Sequence, residues 1–529
     1  MPRNRKLKQQ TPLISLPLLG PGFSGLNTEL SIAAGFKNSS WASQLENVVF
    51  DDLGRITLRR GYADVTTTAI AGTPEIVRLF EYIKADETVS ILAVTDAFEI
   101  QESTDDGDTW SDISGGFTTD LLATTEVRFA NLNDKVYAVA PGFKVYEYNG
   151  TGTFTQITSS FVSRGIILSA FGRLWVPEDA TDVIRYSGLL DGTDWTTTSA
   201  GSIDASNVWT DGQDTISAIW AFGASLILFG RKHIIIYVDG AGSELGVDPD
   251  NLYVVDTIEG TGTDHPDGIV NIGEGDMWYI GDVGIQSLKR VIQEKVNPLA
   301  NISENVKSLV KARIAGNVGS NGSIQAIYSP EESFVLINFK EEPEVLSFDT
   351  RIVIRDDTGG ETWRAMTWDL NISSVLRRRN GDILFGLDNG QLGLYSTYRD
   401  NGVAYPLTYA SPWLNFTDEG HSQLKIIKSF YAYIYGGGTI TGTARWGVDY
   451  RPLEFAQTYS NVYVASGAEF NDGEWGSGEF GQGLRMRKQH FAGRGQGQVV
   501  KFFLTLQSDV DLKIALQEVS IRAKVGRRV

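Results

Sequence analysis

Between about Ile76 and Tyr398 the chain alternates short apolar runs with turns rich in Gly, Asp and Asn. Examples are SILAVTD (90–96), KVYAVAPGFKVYEYNG (135–150), GRLWVPE (172–178), SLILFGRKHIIIYVDG (225–240), DMWYIGDVGIQSL (276–288), SFVLINF (333–339) and DILFGLDNGQLGLYS (382–396). Each reads as a hairpin, two period-2 strands joined by a turn with Gly where positive φ is required. Their starts recur roughly every 35–55 residues, close to the length of a four-stranded propeller blade. This spacing predicts an all-β fold with a β-propeller of six to eight blades over 76–399; stacked sandwiches are the competing architecture. After Tyr398 the runs lengthen, as in LKIIKSFYAYIY (424–435) and QVVKFFLTLQSDVDLKIALQEVSIRAKV (498–525), which suits a sandwich or jelly roll. We therefore expect a basic arm over 1–20 and a β-sandwich-like platform built from 21–75 and 400–529, because domain termini usually lie close together.

Helix signals are few. Asn301-Ile-Ser-Glu304 reads as a capping box, followed by Ile302, Val306, Leu309 and Val310 at helical spacing, which predicts a helix over 302–313. A shorter one is expected over Trp41–Glu46, capped by Ser40.

One turn carries a sharper mark. Ser103, Asp105, Gly107, Thr109 and Trp110 fit S-x-D-x-G-x-T-W, the Asp-box of propeller hairpins, with weaker echoes at Asp191–Trp195 and Asp357–Trp363. The Asp accepts backbone N–H bonds across the turn, the Gly takes the left-handed conformation and the Trp packs on the sheet. Sialidases carry the same box, but at blade edges, so the reading here is structural.

Composition agrees with this pattern. The chain has 529 residues, 57 Gly, 12 Trp and 20 Tyr, an all-β bias, and a hydrophobic fraction of 42% that excludes a disordered chain. Cys is absent, so disulfides, thiolate metal sites and Cys nucleophiles are excluded. No run approaches the roughly 20 apolar residues of a membrane-spanning helix. Arg3, Arg5, Lys6 and Lys8 before Leu13–Leu19 imitate a signal peptide, but Pro12, Pro17 and the missing small-x-small site favour a basic arm.

Catalytic chemistry finds no support. The four histidines, His233, His265, His421 and His490, show no metal-ligand spacing, and neither a G-x-S-x-G elbow nor a P-loop occurs. Asp264 and Asp267 suit calcium no better than ordinary loop composition does. Arg377, Arg378 and Arg379 alternate across a strand and read as a surface or interface patch. No catalytic residue, metal or cofactor is expected, and the chain is not expected to be an enzyme.

Charge is uneven within a net of −19, which makes a general nucleic-acid surface improbable. Residues 81–120 hold eleven acids against one Lys, and residues 239–282 hold eleven acids and no Lys or Arg. The tail is basic, with Arg485, Arg487, Lys488, Arg494, Lys501, Arg522, Lys524, Arg527 and Arg528. One reading is a solvated acidic surface; the other is a polar molecule in an assembly, docking by one face.

Both ends of the chain resemble a known family. Gly22-Phe-Ser-Gly25-Leu-Asn27, then Leu45-Glu-Asn47-Val-Val-Phe50-Asp-Asp-Leu-Gly54 and Arg59-Arg-Gly61-Tyr62, are similar to the opening of podovirus (short-tailed phage) tail proteins. These are the tail nozzle, tail tubular protein B-like or packaged-DNA-stabilisation proteins. The phrases at 186–195 and 278–288, Gly493-Arg494-Gly495 and the close at 519–528 are also similar; Phe23-Ser24 departs from the plainer Gly pair of the pattern.

The resemblance implies a structural virion protein of the phage tail, made in the host cytoplasm, with no membrane span. It implies a homo-oligomer, normally a hexameric ring, below a tail adaptor or connector ring, with tail fibre or needle proteins as further partners. Such a ring lines and gates a channel for double-stranded DNA that is not bound sequence-specifically, and helps retain the packaged DNA until ejection. On charge, Arg3, Arg5, Lys6, Lys8, Arg522, Lys524, Arg527 and Arg528 become candidate adaptor contacts. Asp248, Asp250, Glu259, Asp264 and Asp267 become candidate channel-facing acids. The alternative is a carbohydrate-binding or glycan-cleaving Asp-box propeller, with Trp475 and Phe480 as the sugar-stacking patch.

Overall fold

The computed structural model describes residues 13–19, 23–30, 40–117, 126–209, 212, 214–240, 247–273, 275–294, 301–317, 324–355, 361–415, 423–463 and 484–528. The chain divides into two compact units: unit 1 takes Met1–Ala63, Trp363–Asp369 and Ser396–Val529, and unit 2 takes Asp64–Thr362 and Leu370–Tyr395.

In unit 2, seven blades succeed one another along the chain among the described residues, with an extra two-stranded pair, Pro141–Phe143 and Ser163–Arg164, between the second and third. The first four are complete four-stranded antiparallel blades. Blade 1 is Ile76–Ile83, Val89–Thr95, Ile100–Ser103 and Ser111–Asp112. Blade 2 runs from Arg128–Leu132 to Thr155–Gln156, blade 3 from Leu168–Ala170 to Gly201–Asp204, and blade 4 from Ala218–Phe222 to Leu252–Glu259. Blade 5 has three strands, from Val270–Gly273 to Gly284–Ser287; blade 6 opens at Ile324–Ser329 and blade 7 at Ser374–Arg377.

The middle strands are apolar on consecutive residues because both of their faces are covered. In blade 2, Val136 and Ala138 pack with blade 1, whereas Tyr137 and Val139 pack with Leu174 and Val176 of blade 3. Blade 4 repeats the device: Leu226 and Leu228 join a cluster with Trp175 and Ile184, and Ile227 and Phe229 join one with Met277 and Tyr279. The core is therefore a series of wedges between neighbouring blades, and each fully buried large side chain contributes about 1.5–3 kcal/mol.

The circle closes between blades 7 and 1. Ser374 Oγ donates to Ile76 O at 2.8 Å, and Gln325 of blade 6 donates to Val77 O at 3.0 Å and accepts from Val375 N–H at 3.0 Å. Val65 N–H donates to Leu392 O and Ile70 N–H to Gly390 O. These backbone bonds draw 64–75 into the propeller, whereas sequence alone assigned them to the platform.

Unit 1 is a sandwich that unites N-terminal and C-terminal strands. Its first sheet orders Arg485–Ala492, Gln423–Gly436, Ala515–Arg528, Ile56–Leu58 and Val48–Phe50. In its second, Gln44–Glu46 pairs with Leu407–Ala410, which leads through Val500–Ser508 to Gly438–Val448 and Phe455–Tyr463. Strict alternation sets the faces: Phe430, Ala432 and Ile434 point inward, with Phe430 stacked on Phe502 at 4.6 Å and tilted against Trp446 at 5.2 Å. The segment Trp363–Asp369 belongs here as well, and Trp368 Nε1 donates to Val48 O at 2.8 Å.

Three local expectations are corrected. Trp41–Ala42 and Gln44–Glu46 are strands, not a helix, because Ala42 and Leu45 are buried and their backbones pair with Gly25–Leu26 and Leu407–Ala410. The helix expected over 302–313 starts later, at Lys307–Gly316, after a 3-10 turn at Glu304–Val306. There Asn301 spends its side chain on Ser303 N–H and Glu304 instead of capping the helix. The arm expected over 1–20 contains a strand, Leu13–Leu19, paired antiparallel with Val519–Lys524 along the strand Ala515–Arg528.

Candidate functional site

The Asp-box residues converge in the turn between the last two strands of blade 1. Asp105 Oδ1 accepts from Thr109 N–H at 2.9 Å and from Ser103 Oγ at 2.8 Å, and Oδ2 accepts from Thr109 Oγ1 at 2.7 Å. The Thr109 hydroxyl and N–H, with the Ser103 hydroxyl, hold this carboxyl below its ordinary range. Ser103 Oγ also accepts from Gly107 N–H at 2.7 Å. Gly107 has φ +100°, and a Cβ there would stand 3.2 Å from Leu392 Cδ1. Trp110 packs on a cluster that includes Ile91 and Leu392, so the box fastens the outer edge of blade 1 toward blade 7. In the echo at Asp191, Thr193 caps the carboxylate through its N–H at 2.9 Å; Asp357 and Gly359 lie outside the described residues.

The candidate channel acids are not brought together. Asp248 and Asp250 lie in and before the 3-10 turn Pro249–Asn251, where Asp248 caps Asp250 N–H at 3.1 Å and Asp250 accepts from Tyr186 OH at 3.1 Å. Glu259 stands exposed at the far end of the eight-residue outer strand of blade 4. Asp264 and Asp267 occupy the connection into blade 5 and line a cavity of about 540 Å³ with Glu126, Arg128, Arg164, Arg231 and His265.

Asp267 is the centre of that cavity wall. Its oxygens accept from both terminal guanidinium nitrogens of Arg78 at 2.7 Å and take three contacts from Arg128 at 2.8–3.2 Å. Arg78 and Arg128 lie on the first strands of blades 1 and 2, so one carboxylate in the connection into blade 5 ties those two blades to it. Burial opposes its charge, but Arg128 and Arg78 prevail and hold it well below the ordinary carboxylate range. At neutral pH it has no proton to donate. Asp264 pairs with the exposed Arg231 at 3.1 Å, and burial lowers the His265 imidazole.

Of the candidate basic residues, Arg522 and Lys524 lie on the strand Ala515–Arg528, whose last two residues are Arg527 and Arg528. Arg3, Arg5, Lys6 and Lys8 lie outside the described residues, as do Trp475 and Phe480. Arg522 belongs to a surface that sequence reasoning did not assemble. On the outer face of the first sheet, Tyr431 has the Lys488 ammonium 4.2 Å from its ring centroid, the Arg522 guanidinium at 4.9 Å and the His490 ring at 5.0 Å. Register explains the group: Tyr431 stands opposite His490 on one neighbouring strand and Ser520 on the other. Lys488 also lies 5.3 Å from the Tyr433 ring, and Arg55 lies 5.0 Å from that of Tyr435.

A second missed feature is the buried Arg59. Its five N–H groups are all used: Nε donates to Asn47 Oδ1, one terminal nitrogen to Arg60 O and Asp400 Oδ1, the other to Asp369 O and Asp400 Oδ2. The guanidinium lies 4.0 Å from the Tyr405 ring centroid. Among the described residues no group of three or more His, Cys, Asp or Glu is placed to hold a metal ion, and no helix is long and apolar enough to cross a membrane.

The blades define the class: this is an all-β propeller protein carrying a β-sandwich unit. No family model matches the chain, and no curated protein matches it. Among solved structures it is similar to YCF48 from Cyanidioschyzon merolae, at 13% identity over 63% of this chain and 98% of that one, with a TM-score of 0.38. The WD40 β-propeller domain of Doa1 is 10% identical over 64% and 97%, with a TM-score of 0.36. BamB from Moraxella catarrhalis is 9% identical over 66% and 92%, also at 0.36.

Proposed function

We propose that this protein is a structural subunit of a short-tailed phage tail, a nozzle-type ring component through which DNA leaves the particle, with no catalytic role of its own. The observation that carries this reading is where the tail-protein-like motifs fall. Asn47, Phe50, Gly54, Arg59 and Gly61 of the opening and the closing strand Ala515–Arg528 all belong to one sandwich, so the resembling ends form a single unit. Within it, Asn47 adopts φ +58° and braces Arg59, and Asp51 caps the hairpin turn by accepting from Arg55 N–H at 2.9 Å. These residue types thus serve the scaffold of one unit.

Charge supports the same reading. Of the 46 Lys and Arg, 24 fall in unit 1 against 17 acids, and 22 fall in unit 2 against 48 acids, leaving net charges of +7 and −26. A propeller this acidic repels phosphate backbones, which suits a conduit that must not retain DNA.

The test is electron microscopy of the protein mixed with the adaptor protein of its tail. A hollow six-fold ring with a duplex-wide channel is expected. A monomer in every mixture, together with binding in a glycan screen, would overturn the reading in favour of a sugar-binding propeller.

A further inference from the structure

We propose that the outer sheet face around Tyr431 is a docking surface, and that its occupant is the acidic propeller of a second copy of this chain. The face gathers several cations around Tyr431, with Glu518 opposite Tyr433 on the neighbouring strand. Lys488 and His490 are exposed, Arg522 and Lys524 half-buried, and Lys488 and Arg522 have no carboxylate partner among the described residues. Free lysine and arginine side chains lose rotamer freedom on binding. Here Tyr431 already restrains both cations by cation–π contact, which reduces that cost and presents them in a set geometry.

The same contacts argue against nucleic acid as the occupant. Base stacking needs an open aromatic face, and the Tyr431 ring is flanked by Lys488 and Arg522. The anionic surface that matches the face is supplied by the chain itself, in the −26 of unit 2. Blade 1 concentrates it: Asp86 and Glu87 in the first turn and Asp105 and Asp108 in the third are exposed, and an up-and-down antiparallel blade brings those two turns to the same end. A basic patch on one unit meeting an acidic patch on the other is a heterologous contact, which generates a closed ring or a filament. The closed ring rests on the tail reading above, whereas the contact itself rests on the charge separation.

Sedimentation velocity of the full-length protein tests the contact. We expect association at about 50 mM salt that is lost at about 500 mM, because screening at the higher salt is complete within a few ångströms. Lys488→Glu with Arg522→Glu should weaken it at least about tenfold in Kd, and Lys488→Gln alone by less. Asp86→Lys with Glu87→Lys should weaken it likewise, and mixing the two reversed proteins should restore association between them. Association unchanged in the Lys488→Glu/Arg522→Glu protein, or none in the wild type at low salt, would overturn the proposal. So would duplex DNA binding that this pair of substitutions abolishes while self-association persists, since the face would then belong to DNA. Failure to form a ring with the adaptor, with salt-dependent self-association intact, would sink the tail reading and leave the docking face standing.

Discussion

The guanidinium of Arg59 grips both carboxylate oxygens of Asp400, at 2.9 and 2.7 Å, although 341 residues separate them in sequence. Arg59 is fully buried and Asp400 is half-covered, so the pair is a planar fork held where water competes little. Lys has a single ammonium and cannot reproduce this fork. Arg59→Lys and Asp400→Asn are each expected to destabilise unit 1 by about 3–5 kcal/mol, the usual cost of breaking a buried pair. Urea denaturation followed by tryptophan fluorescence measures it, and a loss below about 1 kcal/mol would show that the pair is replaceable.

Gly61, two residues on, is held by space. A Cβ built there would meet Arg399 O at 2.2 Å and Asp400 Oδ1 at 2.4 Å, so the backbone beside Asp400 would have to move. Gly61→Ala should cost about 1–3 kcal/mol, in the range of overpacking. Combined with Asp400→Asn its effect should fall short of additive, because both disturb one contact. Additivity of the two melting-temperature shifts would argue that Gly61 acts elsewhere.

Asp267 should dominate the stability of the propeller. Asp267→Asn leaves Arg78 and Arg128 without their counter-charge, and a loss of about 3–5 kcal/mol is expected. The acid limb follows from the lowered folded value. Above the ordinary Asp value near 3.8 the carboxylate is charged in both states and its stabilisation is complete. As pH falls below that, the unfolded chain takes up a proton that the folded chain refuses, and the stabilisation drains away. The variant should therefore show a shallower loss of stability below pH 3.8 than the wild type. Parallel acid curves would refute the assignment.

Lys425 carries the opposite linkage. Its side chain is buried, its Nζ donates to Gln498 O at 2.8 Å, and burial, partly opposed by Asp449, pushes the ammonium down to about 8. Above 10.5 both states are neutral; between 10.5 and about 8 only the unfolded state is protonated, so stability is lost as pH falls through that window. The melting temperature of the wild type relative to Lys425→Met should rise as pH is raised from 8 to 10.5. A flat difference would show that the folded state holds Lys425 protonated across that window and that burial does not lower its value.

Much of the propeller was legible because its signal is local. A strand covered on both faces must be apolar on successive residues, and each hairpin needs a turn residue of permitted φ, so runs such as KVYAV and SLILF announced middle strands. The Asp-box was legible for the same reason, since its bonds join residues 103–109. Trp41–Glu46 misled because a six-residue segment has too little length for its period to be read, and the partner strands decided its conformation.

What the sequence by itself determined was the class: all-β, bladed, and polar in its distribution of charge. These depend on composition and on spacing within tens of residues. Tertiary structure alone decided which charges meet. Nothing near Asp267 in sequence marks Arg78 and Arg128 as its partners, and nothing near Tyr431 marks Lys488 and Arg522 as its flanking cations. The physical reason is that a side chain's electrostatic partners are set by blade closure and strand register, which bring together residues tens to hundreds of positions apart.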